Sequence, residues 1–313
     1  MEKTEQNCIL FDWLTFTVKG VSLGCILPFL GLSTGLSFED MPGLDGYRKR
    51  LFFEGISIMY DGRSDMGICV NLSGQGCRAF ETYSSLSWDE LFHTLVDGID
   101  TLGVNVTRLD IAFDDHSGIL DMDCLLDDMD DHNYTSRSSW WKVEYGSEGS
   151  TIYVGSPRSN FRLRIYDKAA ERGYVESDHK HWIRVEMQLR KNNALSAIRN
   201  FLADDIGIVF GGILRNYVIF RVPGADSNRS RWEIAPYWDA LIGASEAIHL
   251  WVNPGVDYNF FKLENWLVNT CGAAIRCYSD IVGIDNLFAA VRTKRLSPKY
   301  QALLDRLRDG GWI

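Results

Sequence analysis

Three stretches of the chain, residues 104–114, 161–168 and 182–190, alternate apolar and polar side chains with a period of two. This alternation is typical of β-strands that bury one face, because successive side chains point to opposite faces of a sheet. A solvated sheet face has no need of a single charge sign around a tyrosine. The second stretch therefore suggests phosphate binding with a phenol nucleophile, although Tyr166 taken alone also fits an ordinary tyrosine, one of thirteen in the chain. Its polar face carries Arg162, Arg164, Tyr166 and Lys168.

The other two strands add carboxylates to these cations. If the three strands belong to one antiparallel sheet whose apolar face packs on helices, their polar faces fall on the same open side. Carboxylates, cations and a tyrosine then meet on one surface. The residues contributed are Arg108, Asp110 and Asp114 from the first strand, and Arg184, Glu186, Gln188 and Arg190 from the third.

The chain as a whole predicts an α+β fold. Runs rich in β-forming residues at 9–18, 51–60 and 66–72 indicate an antiparallel meander before residue 104. A helix is predicted from Trp88 to Leu102, after the N-cap Ser87. Gly74-Gln75-Gly76 predicts a plain turn rather than a phosphate loop, because no Lys-Ser/Thr pair follows it.

A polar loop at residues 223–231 predicts a domain boundary. Residues 1–225 are expected to form an α+β domain that carries the site, with the meander in 1–103 and the three polar strands within 104–222. Residues 226–313 are expected to form a helical C-terminal subdomain. Its helices are predicted at 237–249, 260–278, 284–291 and 298–307.

Charge is distributed unevenly along the chain. The formal net charge of −10 argues against a protein that binds nucleic acid over a broad basic surface. Nine aspartates and no Lys or Arg lie in residues 110–131, whereas residues 157–191 hold nine Lys/Arg against five Asp/Glu and residues 276–308 hold seven against three. The two basic stretches predict contacts to nucleic-acid phosphates. The candidates are Arg162, Arg184, Arg190, Lys191, Arg292, Lys294 and Arg295.

The seven cysteines are scattered and include no CxxC pair, so neither a disulfide framework nor a zinc ribbon is predicted. The longest apolar run, residues 21–32, is too short to cross a bilayer and contains Gly24, Pro28 and Gly31. We therefore expect a soluble, cytoplasmic protein with no membrane partner.

Phosphoryl transfer suits the mixture of side chains on the three strands. Two or three carboxylates can hold a hard divalent cation that polarises a phosphate, while Arg and Lys neutralise its remaining charge. A phenol with a pKa of about 10 is a poor nucleophile, but adjacent cations stabilise the phenolate. Each strand alone also fits a salt-bridged sheet face, and His179 and His181 fit an exposed loop as well as a metal site.

The motifs on these strands resemble the replication initiation factors of the trans-acting rolling-circle type, which include plasmid initiators and relaxases of integrative conjugative elements. The resemblance rests on residues 108–115, 164–168 with Glu171, and 184–190, and it extends to residues 12–16 and 72–77. The family is a divergent relative of the HUH endonucleases that uses carboxylates in place of a histidine pair. The resemblance implies an antiparallel sheet with helices on one face.

The resemblance also implies a sequence-specific, metal-dependent enzyme that nicks and rejoins DNA. Its nucleophile would be Tyr166, assisted by Arg164 and Lys168, and Mg²⁺ or Mn²⁺ would bind Asp110 and Glu186, with Asp114 as a third ligand. The products would be a 5′-phosphotyrosyl enzyme and a free 3′-hydroxyl that starts rolling-circle replication or conjugative transfer of a plasmid, phage or mobile element. Its partners would be origin DNA, single-stranded or extruded as a hairpin, together with a helicase and a second copy of the chain.

Two other functions fit the same residues. A non-catalytic DNA-binding protein would recognise an origin or regulate a mobile element without cutting it. A metal-dependent phosphodiesterase would use water as the nucleophile, while Tyr166 positions the substrate. A covalent adduct between the protein and DNA distinguishes the tyrosine enzyme from both.

Overall fold

The computed structural model of the protein describes residues 6–146, 149–173, 181–246, 267–268, 271–294, 296, 300–301, 304 and 308. Their contacts divide the chain into two units. The first unit combines residues 1–15 with 106–254, and the second combines residues 16–105 with 255–313. Strand β1 (Cys8–Val18) begins in the first unit and ends in the second. The division predicted near residue 225 stays a prediction.

An antiparallel sheet forms the base of the first unit. Its strands after β1 are β6 (Asn105–Asp115), β8 (Trp141–Gly146), β9 (Gly149–Val154), β10 (Phe161–Asp167) and β11 (Ile183–Arg190). Their order in the sheet is β1-β6-β11-β10-β9-β8, and each pair from β6 to β8 runs antiparallel. This order brings the three alternating stretches of the sequence side by side.

Helices cover the apolar face of this sheet. Helix α6 (Asn192–Phe201) packs on β11, and the ring of Phe201 meets that of Phe11 edge-on at 5.3 Å. Helix α7 (Ile206–Tyr217) brings the ring of Phe210 to 6.0 Å from that of Phe113. Each fully buried apolar side chain of this face contributes about 1.5–3 kcal/mol to folding. The predicted α+β class, with helices on one face of an antiparallel sheet, is confirmed.

The remaining strands and α-helices of the first unit lie around this sheet. They are β7 (Tyr134–Ser136), β12 (Val218–Phe220), α4 (Met122–Asp130), α5 (Lys168–Glu171) and α8 (Pro236–Glu246). Strands β7 and β12 pair into a small second sheet, and α8 packs on α7. The sequence predicts Lys168 as the last strand residue, but β10 ends one residue earlier. The Asp167 carboxylate accepts the backbone N–H of Ala170 and thereby caps α5.

The second unit contains the predicted meander. Strands β2 (Glu39–Pro42), β3 (Lys49–Phe53), β4 (Ile56–Tyr60) and β5 (Ile68–Leu72) form successive antiparallel pairs. Its first three helices are α1 (Leu23–Phe29), α2 (Gly74–Tyr83) and α3 (Trp88–Leu102). The predicted bounds of α3 are confirmed, because Ser87 and Glu90 form a capping box and Gly103 ends the helix in the left-handed region.

Two predictions in the second unit are wrong at glycines. The sequence predicts one strand over residues 51–60, but Glu54 and Gly55, with φ of 42° and 85°, turn the chain between β3 and β4. The sequence also predicts a turn at Gly74 to Gly76, where α2 begins instead. A Cβ atom on Gly76 would lie 2.3 Å from the carbonyl oxygen of Gly55, so this glycine allows the helix to approach the β3–β4 turn closely.

Two C-terminal helices complete the described part of the second unit. They are α9 (Gly272–Val282) and α10 (Ile284–Arg292). Within the described residues, the helix predicted over 260–278 overlaps α9 from Gly272 onward, and residues 267–268 are also helical. The helix predicted over 298–307 falls largely outside the described residues. Among the described helices, none has the length and apolar character needed to cross a membrane.

Candidate functional site

Strand β11 lies in the middle of the three polar strands, and its side chains Arg184, Glu186 and Gln188 are each level with a residue on both neighbours. The antiparallel registers align the polar faces of β6, β11 and β10, as the alternation predicts. In the middle one of three levels, the small side chain of Ala112 leaves room beside Glu186. The three levels are Asp114–Arg184–Tyr166, Ala112–Glu186–Arg164 and Asp110–Gln188–Arg162.

Tyr166 is buried on this face, with 4% of its surface exposed. Its hydroxyl donates a hydrogen bond to Oε2 of Glu186 at 3.3 Å. Cationic groups of Arg164 and Lys168 lie 4.5 Å and 5.4 Å from the ring centroid. Burial and the charge of Glu186 nevertheless raise the pKa of Tyr166 above its ordinary value, although Arg184 and Arg164 oppose them. The predicted stabilisation of a phenolate by nearby cations is therefore outweighed, and the phenol is held as a donor to Glu186.

Asp110 and Glu186, the two main predicted metal ligands, are both buried. Burial raises the pKa of Asp110, although Arg108 opposes this rise by donating from Nε to Oδ1 at 2.9 Å. Burial also raises the pKa of Glu186 to about 7, with Arg164 opposing it and Asp12 and Asp110 adding to it. Carboxyl groups that share a poorly solvated site in this way are oxygen donors suited to a hard divalent cation.

Asp12 on β1 belongs to the same cluster, although no role is predicted for it from the sequence. Its charge raises the pKa of both Asp110 and Glu186, and its Oδ2 lies 3.2 Å from Nη1 of Arg184. A signal was present, because Asp12 is the single charged residue in the apolar run of β1. A charge in a largely buried strand needs a partner or a function.

Asp114, the third predicted ligand, is held by Arg184. Both of its oxygens accept hydrogen bonds from this arginine, Oδ1 from Nε at 2.6 Å and Oδ2 from Nη2 at 2.7 Å. Arg184 is buried and also contacts Asp12. The structure thus places Arg184, predicted as a DNA contact, inside a bidentate ion pair that organises the acidic cluster.

The ligand atoms of a different group of side chains lie close enough together to hold one metal ion. The ligand atoms of Cys8, Asp114 and His116 lie within 4.8 Å of one another. The thiol of Cys8 suits zinc better than magnesium. In the described ranges of the chain, Asp110 and Glu186 do not join Asp114 in such a group. The second histidine of the predicted pair, His181, lies with Nε2 3.1 Å from Oδ2 of Asp115, and His179 lies outside the described residues.

A cationic pocket of about 260 Å³, which we call the arginine pocket, opens beside Glu186. Arg108 is paired with Asp110, and Arg164 lies 3.5 Å from Oε1 of Glu186. The other two arginines of the pocket have no carboxylate within 4.0 Å among the residues described, so cations outnumber anions there. The pocket is lined by Arg108, Pro157, Arg162, Arg164, Glu186, Gln188 and Arg190.

The other predicted cations occupy varied positions. Lys168 is buried at the start of α5 and pairs with Glu171. Lys191 is exposed just before α6, where it has a φ of 52° and its backbone N–H donates to the Thr107 carbonyl oxygen. Arg292 and Lys294 are exposed at the end of α10 in the second unit, and Arg295 lies outside the described residues.

A tyrosine, a carboxylate cluster and a pocket of arginines on one sheet face are the parts of a phosphoryl-transfer site. The chain matches the family described as Replication initiation factor over residues 104–288. Residues 8–94 match the family described as Rolling Circle replication initiation protein N-terminal domain. The chain therefore belongs to the replication initiation factor family, which confirms the resemblance found in the sequence.

Two relatives extend this result over most of the chain. The "Putative DNA relaxase NicK" of Bacillus subtilis (strain 168) is 27% identical over 297 residues, which cover 88% of this chain and 82% of that protein. The solved structure of a rolling circle replication initiator protein from Geobacillus stearothermophilus is 32% identical. It matches with a TM-score of 0.70 and covers 77% of this chain and 97% of that one. The sheet and its helices are thus shared with a rolling-circle initiator.

Proposed function

We propose that this protein nicks and rejoins a DNA strand with Tyr166 as the nucleophile, at the start of rolling-circle replication or conjugative transfer. The observation that carries the proposal is the hydrogen bond from the Tyr166 hydroxyl to Glu186, beside the arginine pocket. Membership of the replication initiation factor family supports it. So do the relatives, one described as a DNA relaxase and one as a rolling-circle initiator.

In the proposed reaction, the phenol oxygen of Tyr166 attacks the scissile phosphorus and the bond from phosphorus to O3′ breaks. Glu186 takes the phenol proton through Oε2, the atom that already accepts its hydrogen bond. The departing O3′ takes a proton from solvent and becomes a free 3′-hydroxyl that primes synthesis. The other product is a 5′-phosphotyrosyl enzyme, which keeps the energy needed to rejoin the strand. Arg164 and Lys168, both near the ring, would steady the charge on the phosphate.

Asp110 and Glu186 suit a divalent cation, because the fold disfavours their ionised forms and positive charge would relieve this cost. Mg²⁺ or Mn²⁺, when bound there, supplies charge that polarises the scissile phosphate. Asp12 offers a further oxygen in the same cluster, whereas Asp114 can reach an ion only by sharing its oxygens with Arg184.

The tyrosine assignment is tested by trapping a covalent adduct. The probes are single-stranded oligonucleotides tiled across the DNA that flanks the coding sequence of this protein, each offered with Mn²⁺. Wild type is expected to form a protein–DNA band that survives denaturing electrophoresis, and Tyr166→Phe is expected to form none. Tyr217→Phe, a matched loss of one hydroxyl in the same unit, should keep the adduct. An adduct formed by Tyr166→Phe would remove Tyr166 from the reaction.

The same probes separate the two other functions. Cleavage without an adduct would indicate a phosphodiesterase that uses water, and binding without cleavage would indicate a non-catalytic DNA-binding protein. Cleavage of any of these strands without an adduct, or binding of them with no cleavage in the whole set, would replace the proposed mechanism.

The metal assignment is tested by removing the ion and by changing its ligands. EDTA is expected to abolish adduct formation, and added Mn²⁺ should restore it. Glu186→Gln and Asp110→Asn keep the shape of each side chain but remove the charge, so we expect each to lower the adduct yield at least about tenfold, as for the loss of one transition-state contact. Titration of Mn²⁺ followed by electron paramagnetic resonance should show weaker binding by both variants. Unchanged Mn²⁺ affinity in both would place the ion elsewhere.

A further inference from the structure

The polar face of the sheet continues beyond the arginine pocket onto the β8–β9 hairpin. Tyr153 of β9 is level with Arg164 of β10 and with Lys142 of β8, so the three side chains share that face. Trp140, two residues before Lys142, is exposed over 36% of its surface, and Tyr153 is half-buried. The sheet therefore presents aromatic rings directly next to the arginine pocket.

Arg162 links these rings to the pocket. Its guanidinium carbon lies 4.2 Å from the centroid of the Tyr153 ring and 6.0 Å from that of Trp140. Aromatic rings and arginine planes together are the surfaces on which unpaired nucleic-acid bases stack. Because every base has a flat apolar face, such a platform does not discriminate strongly between bases.

The arginine pocket is suited to an anion. Within the described residues, the Nε atoms of Arg162 and Arg164 are buried and have no hydrogen-bond partner, and Arg162 has no carboxylate within 4.0 Å. Burial, together with the nearby charges of Arg164 and Arg190, lowers the pKa of Arg162. The volume of about 260 Å³ is slightly below the ~300 Å³ at which drug-sized sites begin, so it suits a phosphate with its sugar.

We propose that the arginine pocket and the rings of Tyr153 and Trp140 form a subsite for one unpaired nucleotide next to the scissile phosphate. The pocket holds the phosphate of this nucleotide and the rings stack its base. Arg164 lies two residues before Tyr166 on β10, about 6.6 Å along the strand. The phosphate in the arginine pocket and the scissile phosphate at Tyr166 would therefore be neighbours in an extended single strand. This inference rests on the proposed function, since it takes DNA as the substrate.

The test uses two fluorescent probes of about eight nucleotides, within the ~4–16 that one single-strand module covers. One is an oligothymidylate, and the other has the same phosphates and sugars but no bases. Anisotropy at low salt with the full chain measures both affinities. Wild type is expected to prefer the oligothymidylate by about tenfold or more, as stacking on aromatic rings predicts. Tyr153→Ala and Trp140→Ala should each lower this preference several-fold.

Three further variants make the result specific. Tyr145→Ala removes an aromatic ring that is 67% exposed on the opposite face of the same hairpin, and it should leave both affinities unchanged. Tyr153→Phe retains a ring and should retain the preference. Arg162→Gln removes a phosphate contact, so it should weaken binding of both probes by the same factor. Circular dichroism of every variant checks that the fold is kept.

The inference is overturned if Tyr153→Ala and Trp140→Ala both keep the wild-type preference, or if Tyr145→Ala lowers it as much as they do. Tyr153→Phe behaving like Tyr153→Ala would also exclude stacking. These outcomes are independent of the adduct experiment. If Tyr153→Ala and Trp140→Ala keep the wild-type preference while Tyr166 still forms its adduct, the subsite alone is rejected. If the adduct fails while both variants lower the preference, the tyrosine chemistry alone is rejected.

Discussion

Among single residues, Arg184 contacts two carboxylates of the acidic cluster, those of Asp12 and Asp114. It is buried and makes two short hydrogen bonds to Asp114. Its charge also opposes the rise that burial causes in the pKa of Tyr166 and of Glu186. Continuous alternation in the sequence places Arg184 on the polar face but does not distinguish a substrate contact from a structural ion pair. The register of β6 and β11 makes this distinction, because it sets Asp114 directly beside Arg184.

We therefore predict that Arg184→Met destabilises the protein by about 3–5 kcal/mol, the usual cost of leaving a buried carboxylate without its partner. Arg184→Lys should recover only part of this loss, since an ammonium cannot make the paired hydrogen bonds of a guanidinium. Urea unfolding followed by tryptophan fluorescence measures the change. The double variant Arg184→Met with Asp114→Asn should be more stable than Arg184→Met alone. A loss below about 1 kcal/mol for Arg184→Met would show that the pair is well solvated.

At the scale of elements, the sequence predicts strands and capped helices better than glycine positions. Alternation identifies β6, β10 and β11, and the Ser87–Glu90 capping box identifies α3, because both signals are local. The role of Gly76 depends on Gly55, which is remote in sequence and approaches it only in the folded unit. Asp12 was missed for the same reason, since its neighbours Asp110 and Glu186 lie on other strands.

Two helical glycines provide a matched test of this explanation. Gly76→Ala places a methyl group against the Gly55 carbonyl and should cost about 1–3 kcal/mol, as for overpacking in a core. Gly212→Ala, in α7, meets no atom within 4 Å and should stabilise the protein by about 0.5–1 kcal/mol. Thermal unfolding of both variants shows the difference. Equal effects of the same sign would mean that helix propensity, and not close approach, determines both.

Across the whole molecule, local charge and net charge have opposite signs. The chain carries −10 overall, yet the arginine pocket has more cations than anions. Acidic surface elsewhere repels DNA at a distance, so the proposed function has to rely on a few phosphates bound in the arginine pocket and at Tyr166. This arrangement favours a short, specifically placed single strand over a long non-specific one.

The salt dependence of single-strand binding tests this view of the molecule. With about three phosphates neutralised, the slope of log K against log salt should be near −2, because each phosphate on a single strand contributes about −0.7. Arg162→Gln should make the slope shallower by about 0.7. Arg48→Gln, a control at an arginine whose side chain is 78% exposed in the second unit, should leave it unchanged. Anisotropy titrations over a range of salt concentrations give these slopes. A wild-type slope steeper than about −5 would require more than seven phosphate contacts, and hence the broad basic surface that the composition argues against.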